Sequence, residues 1–312
     1  MTNIQKNEIL QLIESEKVRL GSYKAVAKKC GISEATISQM LSGTYLAKGD
    51  DMYMKIALAL DYSFDNNNWN IASNVTDFKI VAEVLNDAKQ ESMFLGISDN
   101  AGSGKTATAD IFLSQFKTKG VFKINCKEWA GRAFLLKLMK ELGAEEPKGY
   151  ASVSLLIDSI SSAVKKIAHL KPLFIIDQAN SLRPSALRTF IHLFNENEDV
   201  LGMAILGTEN LEVEIKRGVR LNKKGYDELD SRFGRRYIHL FGATLADTRR
   251  ICEANGITDK SLQEEIFKAA EPVGVTIEEG EMKGKTVLVV KDKRVIKRGV
   301  KRERLKLKSN VY

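Results

Sequence analysis

The stretch Met93–Ala107, MFLGISDNAGSGKTA, decides how the rest of the chain is read. Met93 to Ile97 is a short apolar run suited to a buried strand; small and polar residues follow, and Gly104-Lys105-Thr106 opens a helical pattern. A strand, a glycine-bearing turn and a helix in this order gather backbone N–H groups and the positive end of a helix around one point, which makes a phosphate cradle. Asn100, Ala101, Gly102, Ser103, Gly104 and Ala107 form its wall. Lys105 is expected to reach the β- and γ-phosphates of ATP, and the Thr106 hydroxyl to ligate Mg²⁺. One letter departs from G-x-x-x-x-G-K-[ST]: Asp99 stands where the first glycine belongs. The loop then works only if that carboxylate points away from the phosphates. A second GKT, Gly284-Lys285-Thr286, has Glu279 at the first-glycine position and an apolar run after it, so it lacks the strand-before, helix-after context.

Downstream, LFIIDQAN (Leu173–Asn180) supplies the next signal. Four apolar residues ending in Asp177 predict a buried strand that delivers a carboxylate at its C-terminal edge, where ligands sit in open α/β sheets. Asp177 would hold Mg²⁺ through water. Gln178 follows where ATPases of this general type carry Glu, and an amide positions water without accepting its proton. Turnover should therefore be slow or absent, since losing a general base costs about 10²- to 10⁴-fold. The strand LGMAIL (Leu201–Leu206) ends in Gly207-Thr208-Glu209-Asn210; Thr208, or else Asn210, could sense a γ-phosphate, or Thr208 could simply cap the next helix. Trp69 or Ile71 could line an adenine pocket or cover core.

Composition and charge narrow the partners. At 312 residues with 44% apolar and 28% charged content, the chain suits one medium domain with one or two small ones. No run of about 18 apolar residues exists, and the start MTNIQKNEIL lacks signal-peptide character. A cytoplasmic protein with no membrane partner is expected. Cys30, Cys126 and Cys252 form no CxxC pair and predict neither disulfide nor zinc. The net charge is +8, and Lys291–Lys308 alone carries ten bases against two acids, equal to the whole excess. Concentrated base of this kind is the footprint of a polyanion. In that segment Lys297, Arg298, Lys301 and Arg302 are expected to face double-stranded DNA, and Arg294, or else Arg298, to contact the γ-phosphate. Arg132 and the basic stretch with Arg217, Arg220, Lys223 and Lys224 are further candidates for DNA.

At the other end, SYKAVAKKCGISEATISQML (Ser22–Leu41) reads as helix, tight turn, helix. Ala27 permits close helix approach, Gly31 makes the turn, and Ser33 is a natural N-cap. The spacing resembles the phage-repressor helix-turn-helix, which would present Glu34, Ala35, Thr36, Ser38 and Gln39 to the major groove, with Gln39 the best base reader. Yet Met1–Leu60 holds eight bases against six acids, so this module should bind DNA weakly by itself. A helical module for protein contacts is the other reading.

Taken together, the ordered motifs GISEATISQM, AGSGKT, IIDQAN and SRFGRR, with a basic C-terminus, resemble the phage Mu transposition protein B family. The resemblance implies an α/β fold: an AAA+ P-loop NTPase with a parallel sheet and small helical lid, preceded by an all-α helix-turn-helix domain. The implied divisions are 1–62 helix-turn-helix, 63–75 linker, 76–242 nucleotide-binding core, and 243–312 helical lid with basic segment. VTIEE and TVLVV (275–290) alternate like a hairpin, against that lid. Ser231-Arg232-Phe233 resembles an arginine finger, which makes Arg232, with Arg235 behind it, the residue that enters a neighbour's ATP site. The resemblance further implies a homo-oligomer, as helical filament or ring, on target DNA, with a transposase as partner. A helicase or replication loader, a transcription regulator with a nucleotide switch, and a signalling scaffold without DNA are the competing readings.

Overall fold

The computed structural model describes residues 3–45, 50–60, 62, 69–116, 119–145, 147, 149–277 and 283–309. Glu279 and residues 63–68 of the expected linker lie outside them.

Four helices, α1 (Asn3–Leu20), α2 (Tyr23–Cys30), α3 (Glu34–Leu41) and α4 (Asp51–Ala59), enclose Ile9, Ile13, Val26, Ile37, Met40 and Ile56. Local chemistry fixes the turn as expected. Ser22 Oγ accepts the Ala25 N–H at 3.2 Å, Ser33 Oγ accepts the Thr36 N–H at 3.1 Å, and Gly31 between α2 and α3 takes φ 65°, which a side chain would resist.

The central unit runs α5 (Thr76–Gln90), β1 (Phe94–Ser98), α6 (Lys105–Phe116), β2 (Val121–Asn125), α7 (Gly131–Leu142), α8 (Val153–Lys166), β3 (Leu173–Asp177), α9 (Pro184–Leu187), α10 (Thr189–Glu196), β4 (Gly202–Gly207), α11 (Glu209–Arg220), α12 (Tyr226–Arg232) and β5 (Tyr237–Ile238). The strands form a parallel sheet in the order β2-β3-β4-β1-β5. Period-two alternation divides the core between its faces: Phe174, Ile176, Met203 and Ile205 pack on one side, and Leu173, Ile175, Ala204 and Leu206 on the other. Parallel register aligns Ser98 with Gly207 and Asp177 with Leu206, so the ends of β1, β3 and β4 open onto one crevice.

Beyond it lie α13 (Leu245–Ala254), α14 (Lys260–Ala269), the antiparallel pair β6 (Val273–Thr276) and β7 (Thr286–Val289), and α15 (Lys293–Ser309). The expected all-helical lid is thus interrupted by a hairpin, as the alternation at 275–290 implies. A bridge between Ala243 and Val290 pins its base. Residues 69–75 also differ from a solvated linker, because Trp69, Ala72 and Val75 pack on Ile251, Ile296 and Val300. Asn70 donates its side-chain amide to Ala254 O at 2.9 Å, and its backbone N–H to Asn255 Oδ1 at 2.9 Å.

The N-terminal helices are docked on the central unit by a buried charge cluster. The Arg19 guanidinium, 1% exposed, donates to Glu16, to Glu141 on α7 and to Val121 O, and lies 4.7 Å over the Phe122 ring; Lys29 Nζ reaches Glu141 at 2.8 Å.

Candidate nucleotide site

At the crevice, the turn between β1 and α6 curls as its glycines allow: Gly102 and Gly104 take φ 81° and 96°. Asp99 has a negative φ and avoids the cradle. Its Oδ2 accepts the Leu240 N–H beyond β5 and its Oδ1 accepts the Asn100 N–H, so both carboxylate oxygens are engaged by backbone N–H groups. Asp99 is not among the residues that line the cavity.

Lys105, buried at the start of α6, donates to Asp99 O (2.8 Å), Asn100 O (2.9 Å) and Ser103 Oγ (2.8 Å). Burial pushes its ammonium below the usual lysine value, and the Asp99 and Asp177 carboxylates oppose that shift. Thr106 is exposed and lines the same cavity. Asp177 is buried at the end of β3. Its Oδ1 accepts the Gln178 N–H at 2.9 Å, while Oδ2 has no hydrogen bond and only an ion pair with Lys123 Nζ at 3.3 Å. Gln178 itself sits at φ 56°, exposed, on the cavity wall.

Thr208 is at the N-cap position of α11 but makes no side-chain cap; its Oγ1 is buried without a hydrogen-bond partner. Asn180 Oδ1 accepts the Thr208 N–H at 3.0 Å, joining the ends of β3 and β4. Asn180 lines the cavity as well, whereas Asn210 does not. An isolated buried hydroxyl costs free energy unless something pairs with it, so Thr208 is chemically suited to a ligand oxygen.

These residues face a cavity of about 600 Å³, within the ~300–1,000 Å³ of small-molecule sites. Asn100 is not on its wall, whereas Ala101 to Ala107 are. Trp69, Ile71, Val75, Phe78 and Ile251 form an apolar end of nucleobase character, while Lys293, Arg294 and Lys297 enter from α15. Lys297 is a correction. Its ammonium lies 5.1 Å from the Trp69 ring, and burial lowers its pKa, so it faces the cavity rather than an outer DNA surface. Arg298 stays outside, exposed with Lys301 and Arg302.

Two residues that the sequence left unremarked complete the site. Lys293 donates its backbone N–H to Gly102 O at 3.0 Å and its ammonium to Ser103 O at 2.7 Å and to Asp77 on α5. Asp77, 2% exposed at its side chain, also accepts the N–H groups of Phe241 and Gly242. The N-terminus of α15 is thereby tied to the phosphate loop. Within a sequence run of bases, nothing distinguishes Lys293 from its neighbours.

The remaining candidates lie away from the cavity. Arg232 Nε donates to Asn195 Oδ1 at 3.1 Å and its guanidinium stacks 4.9 Å from the Phe194 ring; Arg235 is paired with Asp227. Arg217, Arg220, Lys223 and Lys224 are exposed at the end of α11 and in the turn after it. Arg132 is half-buried, bonded to Ala151 O and stacked on Tyr150. Gln39 is exposed on α3. Among the described residues, no group of three His, Cys, Asp or Glu could hold a metal and no helix is long and apolar enough to cross a membrane. A divalent ion would have to share Thr106 and Asp177 with phosphate oxygens. Such a donor set fits Mg²⁺, which is bound by few carboxylates plus substrate phosphates.

Residues 90–213 match the family model of an AAA domain. The central unit has the fold of an AAA+ P-loop domain. Among solved structures, the chain is similar to Cdc6p from Pyrobaculum aerophilum, at 14% identity and TM-score 0.47, covering 70% of this chain and 58% of that one. It is also similar to the ORC2 protein of Aeropyrum pernix in its ADPNP-ADP complexes, at 14% identity and TM-score 0.46, covering 76% and 70%. No curated protein matches by sequence.

Proposed function

We propose that this AAA+ protein is an ATP-switched, largely sequence-indifferent binder of duplex DNA that assembles head to tail and captures target DNA for a transposase. One observation carries the nucleotide-to-DNA link: the same helix, α15, holds the phosphate loop through Lys293 and presents Arg298, Lys301 and Arg302 to solvent. Arg298, Lys301 and Arg302 lie at helical spacing i, i+3, i+4, so they share one face. Bases without hydrogen-bond readout of base edges grip the phosphate backbone and ignore sequence.

In this reading Lys105 and the N–H groups of 102–106 hold the β- and γ-phosphates, Thr106 and Asp177 serve Mg²⁺, and Thr208 and Arg294 meet the γ-phosphate. Trp69, Ile71 and Phe78 cover the base. Arg232 is away from its own chain's cavity, which suits a role in a neighbour's. A heterologous contact of that kind closes into a ring or continues as a filament. Gln178 orients water without taking its proton, so ATP acts mainly as a joint between protomers. The choice of a transposase as client rests on the order of motifs.

Gel-shift titration of random-sequence duplex with and without ATP tests the reading. ATP-dependent, sequence-indifferent binding is expected, with log K falling against log salt by roughly 3 per protomer for three phosphate contacts. Strong preference for one operator would replace this reading with a transcription regulator, and absence of binding would end it.

A further inference from the structure

Lys123 stands mid-way along β2, opposite Ile175 of β3, in a strand whose other central residues, Phe122 and Ile124, are core. Its side chain is 4% exposed, and its ammonium lies between two carboxylates, 2.6 Å from Asp110 Oδ1 and 3.3 Å from Asp177 Oδ2. Asp110 is four residues beyond Thr106 on α6, hence one turn along the same helix face, and it lines the nucleotide cavity. A cation is buried in a strand only where anions hold it. Here the anions are the carboxylate assigned to Mg²⁺ and a second one beside it.

We infer that Lys123 is a built-in counter-ion of the nucleotide site, a positioning residue that orients Asp177 and makes ATP binding largely independent of divalent metal. The inference rests on the nucleotide reading of the cavity. Asp110 and Asp177 together bring two negative charges to the rim where a triphosphate must lie. Lys123 cancels one of them and fixes the Oδ2 edge of Asp177, which has no hydrogen bond of its own. The phosphates then meet Lys105 and a partly neutralised rim whether or not a metal is present. A carboxylate already paired with an ammonium also attracts a free divalent ion less strongly.

Titration of the full-length protein with a fluorescent ATP analogue, in excess Mg²⁺ and in excess EDTA, tests this. The wild type should lose no more than about tenfold in affinity when metal is chelated. Lys123→Met should lose roughly a further tenfold in EDTA, the effect of one unit charge about 12 Å from the phosphates at an effective dielectric near 20, and recover most of it in Mg²⁺. Lys123→Arg should restore the wild-type ratio, a rescue that depends on charge. Asp110→Asn, which leaves Lys123 to Asp177 alone, should tighten binding in EDTA, and this arm stands even if Lys123→Met fails to fold. A wild type that loses more than a hundredfold in EDTA, or an Asp110→Asn variant with the wild-type ratio, would overturn the inference while leaving the nucleotide site intact. Absence of ATP binding by the wild type in both conditions would instead overturn the nucleotide reading, and this inference with it.

Discussion

Lys293→Met removes the side-chain tie between the phosphate loop and α15 while keeping the length of the side chain. In the native protein its ammonium joins the buried Asp77 carboxylate to Ser103 O, and Asp77 also accepts the Phe241 N–H at 2.9 Å and the Gly242 N–H at 3.1 Å. Removing one partner of a buried ion pair costs about 3–5 kcal/mol because the other charge is left uncompensated. The retained amide hydrogen bonds place this case near the lower end, about 3 kcal/mol, and the lost bond to Ser103 adds roughly 1 kcal/mol. At ~2–4 °C per kcal/mol for units of this size, the melting midpoint of the nucleotide-free protein should fall by roughly 8–16 °C.

A stability loss alone would say only that the pair is structural. The discriminating measurement is DNA binding by fluorescence anisotropy with and without ATP at a temperature where both proteins are folded. Lys293→Met should bind DNA with an affinity that responds far less to ATP, because the exposed bases of α15 remain while the side-chain link to the loop is cut and only the backbone bond to Gly102 O is left. Asp77→Asn combined with Lys293→Met should be less destabilised than the two single variants summed, since the neutral amide leaves no buried charge behind. A midpoint within about 2 °C of the wild type, together with an unchanged ATP response, would refute the coupling.

Lys105→Ala should abolish ATP binding and ATP-dependent DNA assembly together; filaments retained in micrographs would remove the cradle assignment. Gln178→Glu should raise steady-state ATPase activity by about 10²-fold or more, and an unchanged phosphate-release rate would place the base elsewhere. Arg19→Met removes the guanidinium from Glu16 and Glu141 and severs the bond to Val121 O, at about 3 kcal/mol. Limited proteolysis should then cut between the N-terminal helices and the central unit sooner than in the wild type. The Cys30, Cys126 and Cys252 thiols are buried, and burial raises them to about 11, 12 and 11. A thiol reagent at pH 8 should label none before unfolding, because the reactive thiolate is almost unpopulated at that pH; fast labelling would mean that the packing is looser than described.

What the sequence disclosed was local. The loop at 99–106, the Asp177 strand end and the capped turn at Ser33 are specified by residues within one strand or helix of each other. Thr208 was legible as two alternatives, and its side chain makes no helix cap and has no hydrogen-bond partner. The rest depends on contacts between distant residues. The Asp99 carboxylate stays off the cavity wall because Leu240, far along the chain, donates its N–H to it. Lys293, Lys297 and Arg298 read alike within a basic run, yet one holds the loop, one faces Trp69 and one meets solvent. Lys123 meets its two carboxylates only because α6 and β3 bring Asp110 and Asp177 to β2. Residues 63–75 read as a linker with Trp69 as adenine wall or core cover, and only the fold shows Trp69, Ala72 and Val75 reaching the core of the C-terminal unit together.

The count of eight bases in the first 60 residues overstates what those helices can offer DNA. Arg19 and Lys29 are buried against Glu16 and Glu141, Lys24 pairs with Glu145, Lys28 donates to Ala144 O, Lys55 to Gly31 O, and Lys6 pairs with Asp50. The exposed positions of α3, Glu34, Ala35, Ser38 and Gln39, include no cation. Much of the positive charge here is engaged within the chain, several of these bases in mounting the module on α7. Phosphate attraction dominates DNA affinity, so the grip must come largely from the exposed bases of α15 and from those after α11. Of these, α15 is the helix fastened to the phosphate loop. In the proposed function, rearranging the nucleotide cradle would disturb the helix whose exposed bases meet DNA, which is the physical content of an ATP switch.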